Sequence, residues 1–89
     1  MSDPSRYLKE EIKRAIVRSL RLPLAPEDIA DDISLFGEGL GLDSIDVLEL
    51  VLEIERTFGV AIADEQTGAK VLRSVDAIAD YITAARKPM

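Results

Sequence analysis

The chain has 89 residues, 47% of them hydrophobic, a net charge of −6, and neither cysteine nor histidine. That is enough apolar material for the modest core of one small domain spanning residues 1–89. The acidic balance argues against nucleic acid, whose phosphates call for a basic surface, and the missing residue types remove disulfide and thiolate chemistry, the commonest general base and the commonest metal ligand.

In chain order, Ser2 or Asp3 is placed to cap a first helix, with Pro4 at its first position. Leu8, Ile12, Ala15, Ile16 and Leu20 recur at helical spacing and predict one apolar stripe. Pro23 and Pro26 stop that helix. A long connection over 21–42 follows, with room for a short turn near 27–30. It carries Leu22, Leu24, Ile29, Ile33, Leu35, Phe36, Leu40 and Leu42, so it is expected to be pinned across the helices and not to hang free. Gly37, Gly39 and Gly41 allow backbone shapes that other residues resist, and Gly37 and Gly39 read as plain turn residues.

A second helix is predicted from Asp43 or Ser44 to Phe58, with Gly59 as its C-terminal stop. Asp43 is its cap, and Asp46 in the first turn suits the positive end of the helix dipole. Its apolar pattern is too wide for one stripe. Val47, Leu50, Val51, Ile54 and Phe58 form an inward face. Ile45, Leu48 and Leu52 form a second stripe, interleaved with Asp46, Glu49, Glu53 and Glu55. Such a helix is either buried on two sides or presents an apolar strip rimmed by acids to a partner. Asp64 is placed to cap a short third helix near 64–70, which Gly68 weakens. Ser74 caps a fourth, with Val75, Ile78, Ala79 and Ile82 facing inward. The expected fold is all-α, a small bundle of three long helices and one short one.

Charge is placed unevenly along the chain. Residues 1–21 hold Arg6, Lys9, Lys13, Arg14, Arg18 and Arg21 against three acids, whereas residues 27–65 hold twelve acids and only Arg56. The acidic stretch reads as a solvated face or as a docking surface for basic partners. No apolar run approaches the roughly 18 residues of a membrane span. The N-terminal residues carry no signal-peptide pattern, so the cytoplasm is the expected compartment.

The residues around which this chain is organised are Gly39-Leu40-Gly41-Leu42-Asp43-Ser44-Ile45-Asp46, a glycine-punctuated loop running into the second helix. Ser44 exposes a hydroxyl at a helix start, where backbone N–H groups lack partners and a phosphate is accommodated. Nothing here activates it as a nucleophile: histidine is absent, and Lys70 is the only lysine outside the first helix and the C-terminal tail. Asp28, Asp31 and Asp32 lack the spacing of a calcium loop. Ser44 therefore reads as a site modified by another enzyme, and the chain as its holder.

Leu42-Asp43-Ser44-Ile45-Asp46 followed by Leu48-Glu49-Leu50-Val51 closely resembles the acyl carrier protein family, and the likeness extends over essentially the whole chain. The resemblance implies a non-catalytic carrier whose Ser44, flanked by Asp43, holds 4′-phosphopantetheine, with acyl groups carried as thioesters on its thiol. It implies a phosphopantetheinyl transferase and acyl-transferring or chain-extending enzymes with basic patches as partners, and a monomer in solution. Docking would fall on the second helix, through Asp43, Asp46, Glu49 and Glu55, with Ile45, Leu48, Leu52, Glu53 and Arg56 on the same strip. In family members an acyl chain also slips between the helices. This chain departs from the usual pattern at Ile45, where leucine is common, and at Arg56, where fatty-acid-synthesis members commonly carry an acid. The segment 64–70 is less acidic than theirs, and the Gly-Gly-Asp/His-Ser look of peptidyl carriers is missing. These departures leave room for polyketide or specialised lipid synthesis beside fatty acid synthesis. The competing class is a structural or regulatory interaction module that uses the same helices without the arm.

Overall fold

The apolar stripes close on one another in the computed structural model, which describes residues 4–37, 39–63 and 65–86. Helix α1 runs over Pro4–Leu20, α2 over Ser44–Phe58, α3 over Glu65–Val71 and α4 over Val75–Arg86, with a 3-10 turn at Pro26–Asp28. Among the described residues the bundle is all-helical apart from an isolated bridge between Phe36 and Leu42. The expected caps Ser2, Asp3 and Asp64 lie outside the described residues.

α1 packs against both α2 and α4. Ile12, Ala15 and Ile16 of α1, Leu50 and Ile54 of α2, and Val75, Ile78 and Ile82 of α4 are sealed from solvent or nearly so. Val47 and Phe58 complete the inward arc of α2, and Val51 packs half-buried at its edge. Gly59, at φ 68°, takes the left-handed position after α2 and donates its N–H to the Glu55 carbonyl at 2.9 Å. The Ser74 hydroxyl accepts the Ala77 N–H at 3.1 Å and caps α4 as expected. Gly68 has a packing reason for its place in α3: a Cβ there would stand 3.1 Å from a methyl group of Val51, a tight contact that α2 would have to relieve by a few tenths of an ångström.

The long connection is pinned, by apolar and polar means together. Ile29 and Leu35 are fully buried and Leu42 nearly so. The Leu35 N–H donates to the Arg73 carbonyl at 3.0 Å, and the Asp76 N–H to the Asp31 carbonyl at 2.9 Å, fastening the loop to the start of α4. Two lysines of α1 reinforce this: Lys13 meets Asp31 at 2.6 Å, and Lys9 meets Asp76 at 2.8 Å. The hydrogen bond from Lys13 holds the Asp31 carboxyl below its ordinary range, and that to Asp76 raises the Lys9 ammonium.

The last part of the loop folds tightly on itself before α2. The Leu40 N–H donates to Ser34 O at 3.0 Å, the Gly39 N–H to Phe36 O at 3.2 Å and the Leu42 N–H to Leu35 O at 3.0 Å. Gly39 is more than a turn residue: a Cβ there would lie 1.6 Å from the Ser34 carbonyl oxygen. The loop ends at Asp43, which starts α2.

Candidate functional site

Asp43 is the N-cap of α2, with extended backbone, and it forms a reciprocal capping box with Asp46. The Asp46 N–H donates to Asp43 Oδ1 at 3.0 Å, and the Asp43 N–H donates to Asp46 Oδ2 at 3.0 Å. The Val47 N–H is taken by the Asp43 carbonyl. Ser44 follows the cap as the first helical residue, and its side chain is exposed. The N–H groups of Ser44 and Ile45 remain as the open donors of the first turn. An exposed hydroxyl on the first residue after the capping box, beside two open N–H groups, fits a covalently attached phosphodiester.

The outer face of α2 is where the second apolar stripe predicts it. Ile45, Leu48 and Leu52 are 67%, 57% and 58% exposed, so α2 is not buried on two sides. Glu49 stands exposed among them, and Asp46 is half-buried at the capped end.

Glu53 is a correction. It is not on the outer strip but is 7% exposed, the buried charged residue of the described core. At three residues past Leu50 and one before Ile54 it falls on the arc that faces α1, and there α1 supplies a counter-charge. Arg18 donates to Glu53 Oε2 at 2.5 Å, Arg56 to Oε1 at 2.8 Å, and the Thr57 hydroxyl to Oε2 at 3.0 Å. The hydrogen bond from Arg18, with that from Arg56 next, lowers the carboxyl to about 2. The pairing with Arg18 spans the α1–α2 interface and was not legible from the sequence, because its partners lie 35 residues apart. The spacing from Leu50 was the one available signal.

Glu55 also has structural work. Its carboxylate accepts the Ile62 N–H at 2.8 Å and so tethers the segment leading to α3, where Tyr81 also donates its hydroxyl to the Ala61 carbonyl. Arg56 is exposed along its side chain while its guanidinium bonds Glu53. The acids left free beside Ser44 are thus fewer than the sequence suggests, and Glu49 is the one that stands within the apolar strip.

The family model for the phosphopantetheine attachment site matches residues 10–82. An acyl carrier protein of Sulfurovum sp. (strain NBC37-1) is 39% identical over 62 residues, covering 70% of this chain and 79% of that protein. An acyl carrier protein of Wolinella succinogenes is 37% identical over 73 residues, covering 82% of this chain and 90% of that protein. The chain belongs to the acyl carrier protein family, whose members are carriers and not catalysts and hold a covalent 4′-phosphopantetheine group. Among the described residues no helix is long and apolar enough to cross a membrane.

Proposed function

We propose that Ser44 is the residue to which the 4′-phosphopantetheine arm is attached, and that the whole chain acts as one carrier domain delivering acyl intermediates in fatty acid, polyketide or specialised lipid biosynthesis. The observation that carries this reading is the exposed Ser44 hydroxyl at the capped start of α2, beside a strip of exposed Ile45, Leu48 and Leu52. When bound, the arm supplies a thiol on a long flexible chain, where acyl groups are held as thioesters.

The protein's own residues do the rest. The Asp43–Asp46 capping box fixes the backbone on either side of Ser44, so that each partner meets the serine at the same place on the helix start. The surface charge of Glu49 steers a basic partner toward the strip, and the small apolar area adds contact without slowing release. Asp43 and Asp46 also repel the arm's phosphate, a cost the modifying transferase and its metal must offset. The carrier reading is tested by charging the modified protein with a radiolabelled acyl group. Label that hydroxylamine removes, and that is absent from Ser44→Ala, supports it. Label that resists hydroxylamine, or persists in Ser44→Ala, overturns it and favours an interaction module without the arm.

A further inference from the structure

Among the described residues, the exposed large hydrophobic side chains are Ile45, Leu48 and Leu52 of α2, and Tyr7 of α1 at 59%. Tyr7 is followed on its own face by Arg14 and Arg18, seven and eleven residues on, which helical geometry places within about 20° of it. Arg21 comes just after the helix ends. All four are exposed. Arg14 and Arg21 make no ion pair among the described residues, whereas Arg18 shares the Glu53 carboxylate with Arg56. One carboxylate between two guanidinium groups leaves a positive charge at that junction. Arg14 and Arg21 extend it, each within one turn of Arg18. Glu11 lies between Tyr7 and Arg14 on this face, and Glu10 and Glu27 line a hollow beside Arg14, so the positive charge is concentrated toward Arg18, Arg21 and Arg56.

This basic surface is continuous with the strip beside Ser44, because Arg56 belongs to both. Ser44 and Arg56 are twelve residues apart on α2, about 18 Å along its axis. The docking face therefore changes sign along its length, acidic at Asp43 and Glu49 and basic from Arg56 onto α1. We infer that the partner enzyme dedicated to this carrier presents an acidic patch to Arg14, Arg18, Arg21 and Arg56, beside the basic patch that receives the Ser44 end. The inference rests on the carrier reading and adds to it a second contact of opposite sign.

A protein occupant fits better than a bilayer or another copy. The net charge of −6 and the acids on the same face oppose an anionic membrane surface. A second copy carries the same net charge of −6, and that like charge opposes self-association at low salt. Tyrosine and arginine are residues that protein interfaces favour.

The test uses Arg14→Glu/Arg21→Glu, which leaves the Glu53 cluster intact. The first readout is phosphopantetheine transfer by a broad-specificity transferase, which should proceed at the wild-type rate. No modification of the wild-type protein would count against the carrier reading itself. The second is kcat/KM for acyl transfer with two purified ketosynthases, one whose docking face is basic throughout and one with an acidic patch about 15–20 Å from its basic active-site mouth. With the second enzyme the double variant should lose on the order of tenfold at low salt and little at high salt. Reversing that enzyme's acidic patch to lysine should restore the rate. Unchanged kcat/KM with the second enzyme, or failure of the reversal to restore it, would overturn the inference. So would wild-type binding to phosphatidylglycerol vesicles, or salt-sensitive self-association, that the double variant loses.

Discussion

Glu53→Gln removes one negative charge from the α1–α2 interface and keeps the shape of the side chain. Depression from the 4.5 of a free glutamate to about 2 corresponds to about 3 kcal/mol if converted in full, at roughly 1.4 kcal/mol for each pH unit. The side chains of Arg18 and Arg56 are 63% and 77% exposed, so water regains much of their interaction when the carboxylate is lost. That screening reduces the expected cost to about 1–2 kcal/mol at neutral pH. The pH dependence follows from the sign of the shift. A carboxyl held low in the folded state stabilises above its unfolded value of 4.5, and this contribution is lost as pH falls through about 2. Urea melts of both proteins, at neutral pH and at steps through the acid range, isolate Glu53 because every other carboxylate is common to the pair. The gap between them should be widest at neutral pH and narrow below the unfolded value. Equal midpoints at neutral pH, or a gap that stays constant through the acid range, would refute the view that Glu53 clamps α1 to α2.

Leu50→Ala and Ile54→Ala each truncate a sealed side chain in the bundle interior and should cost on the order of 2–5 kcal/mol in denaturant melts. Gly39→Ala should destabilise the loop before α2, since its Cβ would meet the Ser34 carbonyl oxygen at 1.6 Å, and amide exchange at Leu40 and Leu42 should speed up. Glu49→Lys changes an exposed position on the outer face of α2, so its melt should stay within about 0.5 kcal/mol of wild type. Its association with the transferase should slow at low salt and recover toward wild-type behaviour as screening shortens to roughly 8 Å.

The sequence made the helices legible where short-range rules govern them. Spacing placed Ile12, Leu50, Ile54 and Ile78 inside, and Asp43 and Ser74 were readable as caps, whereas Asp46 read only as a charge suited to the helix dipole and its return bond from the Asp43 N–H emerges with the structure. Eight apolar residues in the long loop showed that it must be covered. What it is fastened to could not be read, because Lys9, Lys13 and Asp76 come from helices distant in sequence. The same limit explains Glu53, whose residue type suggested the surface and whose counter-charge Arg18 lies on another helix. Gly39 read as turn chemistry because its neighbour in space, the Ser34 carbonyl, becomes apparent only when the loop closes. The outer face of α2 was legible as an alternative between two burials, and the 57–67% exposure of Ile45, Leu48 and Leu52 decides it. Glu55 and Arg56 were legible as surface residues but not as partners of Ile62 and Glu53.

The attachment of the arm at Ser44 is tested most directly by intact mass. The purified protein and Ser44→Ala are each incubated with coenzyme A, magnesium and a broad-specificity phosphopantetheinyl transferase. Ser44 follows the cap and is exposed, so both proteins should show the same helical circular dichroism. The wild-type protein should gain the mass of one phosphopantetheine group, with the adduct on the peptide containing Ser44, and Ser44→Ala should gain none. An adduct on Ser44→Ala, or on any other residue of the wild-type protein, would contradict the account.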